Sequence, residues 1–162
     1  MNIYLAAAWS RRAEMQKLTK KLERDIPGLI VKARWIKVEP PEKTFWQRTA
    51  RENTRLALED REDAITTDVL VRFTDDLNSK TVPSQLATGS RMVEMGMAII
   101  AGVSVIVVGG KQNLFDCLPE VQHVKNVAAL KRLLRKFSRV IDGGVVRHIS
   151  QKRLAKLSMK TG

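Results

Sequence analysis

The feature that most constrains this chain is a set of short, unbroken apolar runs separated by helix-forming stretches. Asn2 to Ala8, Asp68 to Phe73 (DVLVRF) and Val103 to Val108 (VSVIVV) are each too short for a helix and lack the alternation of a half-solvated strand. Such runs suit strands buried on both faces, as in a parallel sheet covered by helices on either side. Leu29 to Trp35 and Val121 to Val124 supply two further strands. Between them lie stretches with helical spacing. Met15, Leu18 and Leu22 mark the first, with Ser10 as its cap. A long polar helix runs from Phe45 to about Thr66, with Leu56, Leu58, Ala64 and Ile65 as its apolar stripe. A third has Ser90 as its cap and the body RMVEMGMAIIAG. A last one starts at Asn126 and carries Val127, Leu130, Leu134 and Phe137. Pro27-Gly28, Pro40-Pro41 and Gly109-Gly110 are breaks, and Thr74 to Gly89 is a polar loop of about sixteen residues. This alternation predicts one α/β domain, residues 1–142, with ligands expected beyond the carboxyl ends of the strands.

Residues 143–162 read as a basic appendage. The net charge is +12, and from Lys131 onward ten Lys or Arg face one acid, so +9 of it belongs to the C-terminal end. Such a tail can bind nucleic acid, but no aromatic residue interleaves the charges after Phe137, which favours a solvated, solubilising role. No run approaches the length of a membrane span. The start MNIYLAAAWSRR reads as a first strand and not a leader, because its charges follow the apolar run. The lone Cys117 permits no internal disulfide, so a cytoplasmic location is expected. His123, His148 and one cysteine make no zinc site, no phosphate-binding glycine motif is present, and no cofactor is expected.

Glu94 is the chief candidate for chemistry. It is the one carboxylate in an otherwise apolar helix, close to that helix's start, with Gly96 removing bulk beside it. A carboxylate there needs a partner or a task; the structural alternative is an ion pair with Arg91. Asp60 and Asp63 share a helix side and could divide acid and nucleophile roles, or form a solvated acidic face with Glu59 and Glu62. Tyr4 could donate a hydrogen bond to a carboxylate and Trp9 could stack on a base, or each could fill the core. Trp35, Trp46 and Gln47 are weaker candidates.

In combination these segments resemble the nucleoside 2-deoxyribosyltransferase family. The resemblance rests on Ile3-Tyr4-x-Ala6-x-x-Trp9, on Asp60 standing eight residues before Asp68 of DVLV, and on Gly89-Ser90-Arg91-Met92-Val93-Glu94-Met95-Gly96 followed by VSVIVVG. NLFDCLPEVQHV also looks like members of this group. It covers roughly residues 2–125. It implies a flavodoxin-like three-layer sandwich, with a mostly parallel five-stranded sheet and helices on both faces. It also implies a retaining double displacement in which Glu94 attacks C1′ of a deoxyribose. Tyr4 would hold that carboxylate, Asp60 would assist at the sugar or the departing base, and Trp9 would line the base pocket. A second nucleobase would then accept the sugar. The chain departs from the transferases at Thr88, where they carry Asp; the related deoxynucleoside 5′-monophosphate N-hydrolases carry a hydroxyl residue there. Thr88, with Ser10, Arg11 and Arg12 at the first strand-helix turn, is therefore a candidate phosphate contact, and Gly89 and Ser90 are further candidate substrate contacts. Hydrolysis of a 5′-monophosphate is the alternative activity, and a non-catalytic nucleic-acid-binding protein is a third reading. The expected partners are a small deoxynucleoside or deoxynucleotide and a nucleobase, and the resemblance implies a homo-oligomer.

Overall fold

A computed structural model describes residues 1–38, 45–74 and 85–142, with backbone only at 45, 85–88 and 139–142. Five strands form one sheet: β1 (Asn2–Ala6), β2 (Ile30–Val31), β3 (Val69–Phe73), β4 (Ser104–Val108) and β5 (Val121–Val124). Their order is β2-β1-β3-β4-β5, and every pairing is parallel. The helices are α1 (Arg12–Asp25), α2 (Arg34–Lys37), α3 (Ala50–Ile65), α4 (Gln85–Ile100) and α5 (Val127–Asp142). This is the parallel α/β sheet expected from the alternation of runs, and the flavodoxin-like architecture that the family resemblance implies. All five residues of β3 are buried, as a strand covered on both faces requires.

The winding direction reverses at β1. The chain steps one way to β2 and then the other way to β3 and β4. Right-handed crossovers therefore put α1 on one face and α3 and α4 on the opposite face. An ion pair from Lys131 to Asp25 ties α5 to α1 on their shared face. The reversal opens a crevice between the carboxyl ends of β1 and β3, where ligands bind in such sheets.

Several local expectations are corrected. Leu29 to Trp35 is not one strand: pairing stops at Val31, apart from Lys32 N–H donating to Ile3 O (2.9 Å). Tertiary bonds pull the rest away. The Trp35 indole N–H donates to Leu5 O (2.9 Å), and Asp63 accepts both the backbone N–H (2.8 Å) and Nε (2.9 Å) of Arg34. The helix expected from Phe45 to Thr66 is divided. A 3-10 turn, Phe45–Gln47, precedes α3, which begins after Thr49, where the Thr49 hydroxyl and the Glu52 carboxylate cap each other's backbone N–H. Its apolar stripe holds only in part: Ala64 is buried and Leu56 half-buried, while Leu58 and Ile65 are exposed and Asp63 is buried in their place. Ser10 caps nothing. A 3-10 turn, Trp9–Arg11, runs directly into α1, and Arg11 N–H bonds Ala8 O (2.9 Å). Ser90 is no cap either, because α4 starts at Gln85 and the loop after Thr74 is correspondingly shorter. Asn126 does cap α5, its side chain accepting from Ala129 N–H (3.0 Å). Pro40-Pro41, residues 75–84 of the loop and the appendage 143–162 lie outside the described residues.

Beyond β4 the chain turns at Gly109, whose φ of +112° suits glycine, and a Cβ there would lie 2.0 Å from Thr74 Oγ1. The 3-10 turn Leu114–Cys117 that follows is pinned to β3 by a buried ion pair between Arg72 and Asp116. Asp116 also accepts the backbone N–H of Gln112 (2.8 Å). Asp116→Ala leaves the Arg72 guanidinium charged and unmatched in the interior. It is expected to lower unfolding free energy by about 3–5 kcal/mol, measured by urea titration; a loss within error of zero would show the pair to be incidental. Among the described residues no helix is long and apolar enough to cross a membrane.

Candidate active site

Three polar side chains meet at the reversal point. Tyr4 lies in mid-β1, fully buried, where its register with Leu70 directs it to one face of the sheet. Asp60 comes from the third turn of α3 and Glu94 from α4; both are half-buried. Packing of α3 against α4 brings the two carboxylates over Tyr4.

Their electrostatics show the closeness. Burial raises the Glu94 carboxyl to about 8; the neighbouring Asp60 adds to this, while the Tyr4 hydroxyl and then Arg91 oppose it. Burial likewise lifts Asp60 to about 6, helped by Asp63 and Glu59 and countered by Arg34. The Tyr4 phenol is pushed far up, first by burial and then by Glu94 and Asp60. Its hydroxyl lies close enough to Glu94 to favour the carboxylate, yet stands outside strict hydrogen-bond geometry, so it is a buried donor without a formed bond among the described residues. The Asp60 charge thus helps to hold the proton on Glu94.

The structure separates Asp60 from Asp63, which the sequence set side by side. Asp63 is buried and taken up by Arg34. Glu62 and Glu59 are engaged by Arg34 (2.5 Å) and Arg55 (2.7 Å). Asp60 has no hydrogen bond or ion pair among the described residues and faces Glu94 instead. Arg91 is buried and donates to Phe73 O (3.1 Å). It makes no ion pair with Glu94, which removes the expected structural alternative. The apolar character of α4 does not make it buried all round, since Val93 is 60% and Ile100 89% exposed. The isolation of Glu94 comes from its position over the sheet, not from a wholly buried helix.

At the end of β1, Trp9 is 46% exposed and leans on Trp35, with ring centroids 5.9 Å apart and planes at 43°. Arg12 lies over the Trp9 ring (5.7 Å), and its Nε donates to Trp35 O (3.3 Å). Its Nη2 is buried with no partner among the described residues. Arg11 is occupied differently: Glu14 holds it through Nε (2.8 Å) and Nη2 (2.7 Å), and Nη1 donates to Thr74 O (3.1 Å). Ser10, Gly89 and Ser90 are exposed, the latter two already beyond the first turn of α4. The Thr88 side chain lies outside the described residues. Trp46 is exposed in the turn before α3. Sequence reasoning underrated Trp35, whose indole bond to β1 fixes the ring against which Trp9 leans; it missed Arg72 and Asp116, whose pairing spans 44 residues.

The strand order, the crevice and the placement of the carboxylates can be compared with known proteins. Neither a family model nor a curated protein matches the chain. Among solved structures, it is similar to the CMP N-glycosidase BcmB of Clostridium botulinum, with a TM-score of 0.50 and 13% identity, over 83% of this chain and 98% of that one. In fold, the chain resembles a CMP N-glycosidase. At that identity the likeness to BcmB speaks for the architecture, and the chemistry rests on the side chains. A coupled carboxylate pair with a buried phenol beside it can stabilise a developing cation, capture it covalently and manage one proton.

Proposed function

We propose that the chain cleaves the N-glycosidic bond of a 2′-deoxynucleoside through a covalent glycosyl-Glu94 intermediate and passes the deoxyribosyl group to another nucleobase. The observation that carries this reading is the meeting of Glu94, Asp60 and Tyr4 at the crevice. A Glu94 oxygen attacks C1′ as the C1′–N bond breaks, and the bond's electron pair leaves with the base. Asp60, with the lower proton affinity, bonds a sugar hydroxyl or attends the departing base. Tyr4 donates to the Glu94 oxygen that does not attack, keeping it aligned. A ring nitrogen of a second base then displaces Glu94 and regenerates the carboxylate. The transition state is oxocarbenium-like, so a carboxylate below C1′ stabilises it electrostatically before bonding to it.

A second reading is hydrolysis of a nucleoside 5′-monophosphate by the same intermediate, with water as acceptor. Two observations favour it: the spare, buried Nη2 of Arg12 near the crevice, and the likeness in fold to a CMP N-glycosidase. The proposed domain is residues 1–142, acting on a small molecule, in a homo-oligomer. Incubation with a deoxynucleoside or its monophosphate, with and without a second free base, followed by chromatography, tests both readings. Transfer gives a new nucleoside only when the second base is present. Hydrolysis gives free base and free sugar phosphate regardless. Release of no base from any of the common substrates would sink both.

A further inference from the structure

The face of the sheet opposite α3 and α4 has a different character. On α1 the buried residues are Met15, Leu18, Thr19 and Leu22. At 3.6 residues per turn, Lys17, Lys20 and Lys21 point directly away from them, and all three are exposed. On α5, Leu130, Leu134 and Phe137 are buried while Arg132, Arg135 and Lys136 point outward and are exposed. None of these six cations has an ion pair among the described residues. The acids of α1 are turned to other work. Glu14 is clasped by Arg11, Glu23 accepts the Val31 backbone N–H (2.9 Å), and Asp25 is held between Arg24 and Lys131. No acid occurs between Val127 and Ser138.

The geometry points to a docking surface for duplex nucleic acid on the α1/α5 face, remote from the carboxylates and independent of the catalytic reading. Two rows of unneutralised cations lie on one face, joined where Lys131 pairs with Asp25. Two lines of cations on one face can meet both phosphate chains of a duplex, where a single strand offers one. Recognition would be of the phosphate backbone and blind to sequence. A single strand fits less well: every described tryptophan, tyrosine and phenylalanine other than Phe137 lies off these helices, and Phe137 is buried, so no stacking platform exists. An anionic membrane fits less well too, since among the described residues no large exposed apolar side chain sits on α1 or α5.

The test uses the full chain and a labelled, mixed-sequence DNA duplex, followed by anisotropy. Binding is expected at roughly 50 mM salt and should weaken steeply toward roughly 200 mM. The combined variant Lys17→Gln, Lys21→Gln, Arg132→Gln, Arg135→Gln, with its melting temperature checked, should bind at least about tenfold more weakly. Its log-log salt slope should flatten by about 0.9 for each lost phosphate contact. Should that variant fail to fold, the single surface reversals Lys20→Glu and Arg135→Glu carry the same expectation with smaller losses. The proposal is overturned if the duplex does not bind, or if these variants bind normally while Arg147→Gln, Lys152→Gln, Arg153→Gln and Lys156→Gln together abolish binding. Tighter binding to a single strand of equal length, or to phosphatidylserine vesicles in place of the duplex, would overturn it as well.

Discussion

Replacing Glu94 by Gln is expected to cut turnover at least about a thousandfold while the protein stays folded, because the amide cannot form the glycosyl ester. The same substitution should stabilise the protein. The Glu94 carboxyl is raised from its ordinary 4.5 to about 8, chiefly by burial. Between those values the folded chain holds more protons than the unfolded chain, so stability falls as pH rises through that window. Gln carries no charge and escapes this loss. Its melting temperature should therefore exceed that of the native chain by a margin that grows from about pH 5 to pH 8. A constant margin would show that burial of the carboxylate is not what strains the site. The native enzyme's kcat/KM should climb with pH as Glu94 ionises and level off above about 8. A profile flat from about 6 to 9 would show that the Glu94 carboxyl is not raised in the working enzyme.

Arg12→Ala is expected to separate nucleotide from nucleoside substrates. If a 5′-monophosphate is the substrate, the buried Nη2 of Arg12 is the free donor that can meet it. Loss of one charge-assisted contact costs about 1.5–3 kcal/mol, or roughly ten- to a hundredfold in kcat/KM for the nucleotide. The free nucleoside should be almost unaffected. Thr88→Ala is expected to act in the same direction. Arg11→Ala should do less to this ratio, since Glu14 and Thr74 already occupy its guanidinium. Arg12 also braces Trp9 and Trp35. A purely supporting role would depress both substrates together, and equal losses would exclude Arg12 as a phosphate ligand.

These expectations draw unequally on sequence and structure. β3 and β4 were legible to within a residue because strands covered on both faces are largely apolar, and the edge strand β5 was marked by its flanking valines. The core side of α5 was equally plain, with Leu130, Leu134 and Phe137 at helical spacing and Asn126 at the cap. The other edge was less plain. β2 is two residues long because Trp35 and Arg34 are claimed by Leu5 and by Asp63, and no local pattern announces a bond spanning 29 or 30 residues.

Candidate residues divide in the same way. A single carboxylate in an apolar segment singled out Glu94 as a candidate, because a charge withdrawn from water needs a partner or a task. Asp60 and Asp63 could not be ranked from spacing, which placed both on one helix side. Only the packing of α2 against α3, which brings Arg34 to Asp63, and of α3 against α4, which leaves Asp60 facing Glu94, gave them different environments. Arg11 and Arg12 were likewise equivalent as adjacent residues, until Glu14 closed on one and Trp9 and Trp35 on the other. Sequence by itself determined the layered α/β architecture and the isolated carboxylate, since both follow from where apolar residues recur along the chain. Tertiary structure alone decided which acid and which arginine remain unsatisfied, because a side chain's partners are set by contacts between segments distant in sequence.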